Sequence, residues 1–77
     1  PIMTIDILAP KDFVGEVIGN FTNRGGIIHS LESKQTVEHI HAEAPMAAMF
    51  GYSTALRSIT QGRGTFAMEF RHFAKKP

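Results

Sequence analysis

The chain has 77 residues, 43 % of them apolar and 19 % charged, with a formal charge of +1 at neutral pH. A chain of that length makes one small domain that buries only about 60 % of its unfolded surface, and so small a net charge does not by itself mark a nucleic-acid binder. The lack of cysteine excludes a disulfide scaffold, thiol catalysis and Cys-ligated zinc or iron–sulfur clusters. No apolar run approaches the roughly eighteen residues of a membrane span, and no signal-peptide pattern is present, so no membrane partner is expected and a cytoplasmic, reducing setting is. The chain starts at Pro1 and ends on Ala74-Lys75-Lys76-Pro77 without a cap or stop pattern, which reads as a piece cut from something longer.

In chain order, Met3, Ile5 and Ile7 alternate with Thr4 and Asp6, a half-buried strand that Ala9-Pro10 ends. Val14, Val17, Ile18 and Phe21 follow the i, i+3, i+4, i+7 rule of an amphipathic helix. Pro10 and Asp12 suit its start, and Arg24-Gly25-Gly26 supplies a cation and a left-handed stop. Gly15 and Gly19, one turn apart, predict a groove that a strand or helix approaches closely. Residues 27–32 are rich in β-formers, residues 33–35 turn, and residues 36–44 return, so a hairpin closed by Pro45 is expected. A second helix is predicted over residues 46–60, and a final strand over residues 65–73.

The order βαββαβ predicts a ferredoxin-like α+β sandwich, a four-stranded antiparallel sheet with two helices on one face. Phe66, Met68 and Phe70 are expected to meet Val14, Ile18 and Leu56 in a core layer, so that Phe70→Ala costs roughly 3–5 kcal/mol.

The second helix carries the most information. Met49, Tyr52, Leu56 and Ile59 form an apolar stripe, and Ser53, Arg57 and Gln61 sit four apart on the polar side. Gln61-Gly62-Arg63-Gly64 then offers two residues free to take positive φ, so that backbone N–H groups would converge with Arg57 and Arg63 on an anion such as an RNA phosphate. On spacing alone, Gly62-Arg63-Gly64 reads more simply as a plain helix-to-strand connection, and Arg57 as readily as a surface ion pair with Glu43 or Glu69. Phe50 and Tyr52 read either as base-stacking rings or as core. His39 and His41 leave one strand face about 7 Å apart with Glu43 next in line, an arrangement open to zinc. Two imidazoles and a carboxylate on a flat strand are read as an incidental polar face, and no metal is assigned. His29 and His72 are assigned no chemistry.

The helix Phe13-Val14-Gly15-Glu16-Val17-Ile18-Gly19, the run from Pro45 to Tyr52, Leu56-Arg57-Ser58, Thr60-Gln61-Gly62-Arg63-Gly64 and Met68-Glu69-Phe70 resemble the C-terminal domain (domain V) of bacterial-type elongation factor G. The resemblance covers nearly the whole chain. It departs from the family's usual pattern at Ala48, at His39 and His41, and in the Ala-Lys-Lys-Pro tail. The resemblance implies one domain, residues 1–77, from a larger translational GTPase whose GTP and Mg²⁺ are held elsewhere, because no GxxxxGK[ST] loop occurs here. This piece is therefore expected to have no cofactor and no catalytic activity of its own.

The resemblance further implies a monomeric module that contacts large-subunit ribosomal RNA at the sarcin–ricin loop and stalk base, a stalk-base ribosomal protein, and other domains of its own chain, in support of GTP-dependent translocation. The implied RNA-facing residues are Ser58, Thr60, Gln61, Gly62, Arg63 and Gly64, with Arg57 as a supporting cation. Arg63 would take a phosphate, Gln61 and Thr60 hydrogen bonds, and the two glycines close backbone approach.

Other readings compete with this one. The parent could be a paralogue acting in ribosome recycling. An acylphosphatase-type enzyme shares the topology, but Ala9-Pro10-Lys11-Asp12 lacks the glycines and arginine of its phosphate cradle. A stand-alone ligand-binding regulatory domain would dimerise through a sheet face or helices. An RNA-recognition motif fails because residues 27–32 and 37–43 lack paired aromatics.

Overall fold

The computed structural model describes residues 1–72. Strand β1 (Ile2–Pro10) passes through a 3-10 turn (Lys11–Phe13) into helix α1 (Val14–Asn23). The hairpin β2 (Ile27–Lys34) and β3 (Val37–Pro45) follows, then a second 3-10 turn (Met46–Met49), helix α2 (Tyr52–Thr60) and β4 (Thr65–His72). Every pairing is antiparallel and the sheet order is β2-β3-β1-β4, the ferredoxin-like arrangement. The predicted Phe73 end of the last strand lies outside the described residues.

Period-two patterning decides which sheet face is covered. Met3, Ile5, Ile7 and Ala9 of β1 and Ile40, Ala42 and Ala44 of β3 are buried under Val17 and Phe21 of α1 and Tyr52 and Leu56 of α2. The other face of the same strands carries Thr4, Asp6, His39, His41 and Glu43. Tyr52 stands at the centre, edge-on to Phe21 at 5.7 Å and to Phe66 at 5.1 Å between ring centroids, so of its two predicted roles it takes the core one. Phe50 does not, being 75 % exposed.

Helix α1 ends as its sequence predicts. Gly25 N–H donates to the Thr22 carbonyl and Gly26 N–H to the Phe21 carbonyl, the paired bonds of a Schellman stop. The second glycine is there for space: a Cβ on Gly26 would lie 2.2 Å from Cε2 of the Phe21 ring. Arg24 then does more than complement the helix dipole. Its Nη1 donates to the carbonyls of Ala48 (3.0 Å) and Phe50 (3.1 Å), and its guanidinium lies 5.1 Å from the centre of the Tyr52 ring, tying the end of α1 to the start of α2.

Four expectations are corrected. The second helix starts at Tyr52 and not at Met46, because Gly51 takes φ 75° and breaks the turn before it; Met49 reaches the core from the 3-10 turn. The hairpin turns at residues 35–36, with Gln35 at φ 55°, so β2 runs two residues further than predicted. Nothing among the described residues approaches Gly15 or Gly19 within 4 Å of where a Cβ would sit, so the predicted groove packs against nothing there. Finally, β4 is an edge strand, and the helices cover it only at its start. Phe66 packs on the core, whereas Met68 and Phe70 are 40 % and 56 % exposed, which removes the basis for a large Phe70→Ala cost.

Candidate functional site

The segment joining α2 to β4 is held by its own hydrogen bonds. Gln61 is left-handed at φ 56° and Gly62 at φ 82°, so one of the two special backbone positions falls on Gln61 and not on Gly64. Gln61 N–H and Gly62 N–H both donate to the Arg57 carbonyl, the second at 2.8 Å, and Arg63 N–H donates to the Thr60 carbonyl at 3.2 Å. The Thr60 hydroxyl donates to the Leu56 carbonyl (2.8 Å) and accepts from Gly64 N–H (2.7 Å). All four amides of residues 61–64 therefore point inward. The expected convergence of backbone N–H groups on an anion is corrected: any anion here is met by side chains.

Thr60 and Gly64 also change roles. Thr60 is fully buried with donor and acceptor both engaged, so it shapes the loop instead of offering a hydrogen bond outward. Gly64 is buried, and a Cβ there would stand 2.9 Å from the Thr60 hydroxyl and 3.0 Å from Leu56 Cγ; its missing side chain serves packing within the domain. Arg57, Ser58, Gln61, Gly62 and Arg63 are exposed.

The two arginines line different clefts. Arg63 lies on an open cleft of about 740 Å³ that it shares with Lys11, Asp12 and the residue 35–37 turn, its guanidinium 5.2 Å from the centre of the Phe13 ring. Arg57 lines a smaller cleft of about 220 Å³ with Ser53, Gly64 and Phe66. Thr65 borders both, so the cations flank one short stretch of backbone instead of meeting at a point. Ser58, Gln61 and Gly62 lie outside both clefts.

Among the described residues neither arginine has a carboxylate partner. The predicted Glu43 alternative for Arg57 is not realised: Glu43 is taken by His29 Nε2 at 2.6 Å and approached by Arg71 Nη1 at 3.8 Å. Lys11 adds a third cation that the sequence did not single out; its proximity to Arg63 depends on how β1 and the α2–β4 loop meet in space.

The open sheet face differs from expectation too. His39 and His41 rings are tilted together with centroids 4.0 Å apart, closer than their strand spacing, because both turn toward Asp6 on β1. Glu43, the predicted third member, belongs to the separate His29 and Arg71 group. No described helix is long and apolar enough to cross a membrane.

The sequence matches the family model for the elongation factor G C-terminus over residues 1–77. It is 54 % identical over 76 residues to elongation factor G 1 of Treponema denticola, a match covering 99 % of this chain and 11 % of that protein. Identity to elongation factor G of Aquifex pyrophilus is 48 % over 77 residues, covering 100 % of this chain and 11 % of that protein. A crystal structure of a Thermus thermophilus protein superposes with a TM-score of 0.91 at 36 % identity, over 100 % of this chain and 12 % of that one. The chain thus spans a small part of the length of the relatives it matches.

Proposed function

Because the chain belongs to the elongation factor G C-terminus family, we propose that it is the ribosome-docking module of a longer translational GTPase acting in protein synthesis. It docks on large-subunit ribosomal RNA, at the sarcin–ricin loop and stalk base with its ribosomal protein, and it supports GTP-dependent translocation by orienting the rest of the factor. The observation that carries this reading is the pair of exposed arginines, Arg57 and Arg63, left without carboxylate partners among the described residues on either side of Thr65. A guanidinium in that condition keeps its donors for a phosphate.

The proposed contact surface is Arg57, Ser58, Gln61, Gly62 and Arg63, with Thr60 and Gly64 holding the loop from beneath and Lys11 reinforcing the Arg63 side. Phe13 under the Arg63 guanidinium restricts its swing, which lowers the ordering cost of a phosphate contact. The chain has no glycine-rich phosphate loop for GTP and Mg²⁺, so nucleotide chemistry is assigned to another part of the parent protein. Its own contribution is positional. A few cationic contacts give affinities of only about 10⁻⁴ to 10⁻⁶ M, but tethered to other ribosome-binding domains they act at roughly millimolar effective concentration.

The test is ribosomal RNA footprinting by the full-length factor, wild type against Arg63→Ala, at near-physiological salt. Loss of protection confined to the sarcin–ricin loop or stalk base is the expected result. Unchanged protection, with unchanged ribosome-stimulated GTP turnover, would make residues 62–64 a structural turn and overturn the reading.

A further inference from the structure

We propose that Asp6, His39 and His41 form a binding site for a divalent transition-metal ion, with zinc as the reference ion, on the open face of the sheet. His39 and His41 are two residues apart on β3 and leave the same face, and Asp6 stands on β1 directly opposite His41 in the strand register. Their ligand atoms all lie within 4.8 Å of one another. Asp6 Oδ1 is 2.9 Å from His41 Nδ1 and 3.3 Å from His39 Nε2.

Those separations are close to the ones a metal site requires. With zinc–ligand bonds of about 2.0–2.1 Å, neighbouring donors of a tetrahedral site stand about 3.3 Å apart. The three donors lie within 4.8 Å of one another, so small side-chain rotations bring them to that spacing, and they are exposed enough to make them, at 41 % for Asp6, 24 % for His39 and 40 % for His41. Two imidazole nitrogens share one carboxylate oxygen; an ion among them would give each nitrogen its own bond and needs only that the ring protons sit on the opposite nitrogens.

Ligand chemistry sets the class of ion. Two imidazoles and one carboxylate suit zinc, cobalt, nickel or copper, whereas magnesium and calcium take mostly oxygen ligands. The site would therefore be distinct from any magnesium that accompanies GTP in the parent protein. Three protein ligands leave at least one position toward solvent, where a water or a group from a neighbouring body completes the shell. A bound ion would join β1 to β3 across the face that the helices leave uncovered.

The test is zinc competition against a chromophoric chelator, on the full-length factor with magnesium in large excess. Wild type is expected to retain one zinc more than the His39→Gln/His41→Gln double variant. Asp6→Asn and each single histidine variant should weaken that zinc at least about tenfold, and His29→Gln, in the neighbouring group, should keep it. Equal zinc uptake by wild type and the double variant overturns the proposal. Cobalt(II) titration of the wild type needs no variant: a visible absorption band removed by zinc supports the site, and its absence refutes it.

Discussion

Among single residues, Tyr52 carries a tension that its helical position alone does not reveal. Its hydroxyl is buried and finds no hydrogen-bond partner among the described residues. Burial disfavours the phenolate and pushes the pKa up to about 12, while the nearby Arg24 guanidinium pulls it partly back. An unpaired buried hydroxyl carries a desolvation cost of about 1–3 kcal/mol. Tyr52→Phe, which keeps the ring contacts with Phe21 and Phe66, should therefore leave the thermal transition unchanged or raise it. The same group predicts an alkaline limb. Unfolded, tyrosine titrates near its ordinary value of about 10. Between that value and about 12 the unfolded chain gives up a proton that the folded chain keeps, so stability falls as pH rises through this window. The loss reaches about 3 kcal/mol. Denaturant titrations from about pH 9 to about 12 should show the limb in wild type and a smaller one in Tyr52→Phe.

Of the secondary-structure elements, β4 and the loop before it divide most sharply between packed and open positions. Phe66 faces Tyr52 and the core, whereas Phe70, further along the same face, is 56 % exposed. Phe66→Ala should cost roughly 2–4 kcal/mol, and Phe70→Ala less than about 1 kcal/mol, read from shifts in urea midpoint at constant slope. The loop offers a parallel case. A methyl on Gly64 would press on Thr60 and Leu56, so Gly64→Ala should destabilise by about 1–3 kcal/mol. In denaturant titration its loss should exceed that of Ser58→Ala, whose side chain is exposed.

In the molecule as a whole, the two sheet faces do different work. One is sealed by α1 and α2 and supplies the stability; the other displays a histidine and carboxylate surface. The cationic loop stands apart from both, at the end of α2, in keeping with the proposed role of holding a few charges in fixed positions for a longer factor. Each phosphate contact contributes about one to the slope of log affinity against log salt. Ribosome binding by the factor should therefore lose about one unit of slope in Arg63→Ala and again in Arg57→Ala, measured from about 50 to 200 mM salt. An unchanged slope in both variants would mean that neither arginine meets a phosphate.

Local patterning was enough for the element order, the α+β class and the Gly-Gly stop after α1, because these rest on periodicity and on turn residues read within a few positions; the family came instead from the resemblance of motifs spread along nearly the whole chain. The two arginines of the proposed contact surface were also named from local features, Arg57 from the polar side of a helix and Arg63 from the glycines that flank it. Local patterning placed Tyr52 on the apolar stripe, as found, but could not say that Phe50 would be exposed, because that turns on Gly51 breaking the helix between them. Nor could it tell that the amides of residues 61–64 and the Thr60 hydroxyl are consumed within the loop, since their partners are set by how the chain closes after α2. Asp6 is the clearest case. It lies 33 residues before His39 in sequence, and only the β1–β3 register puts its carboxylate within reach of both rings, displacing Glu43 from the role its neighbouring position suggested. Periodicity settles which side of a strand a residue takes, but which residue of another strand it meets there is settled by pairing, and pairing is tertiary structure.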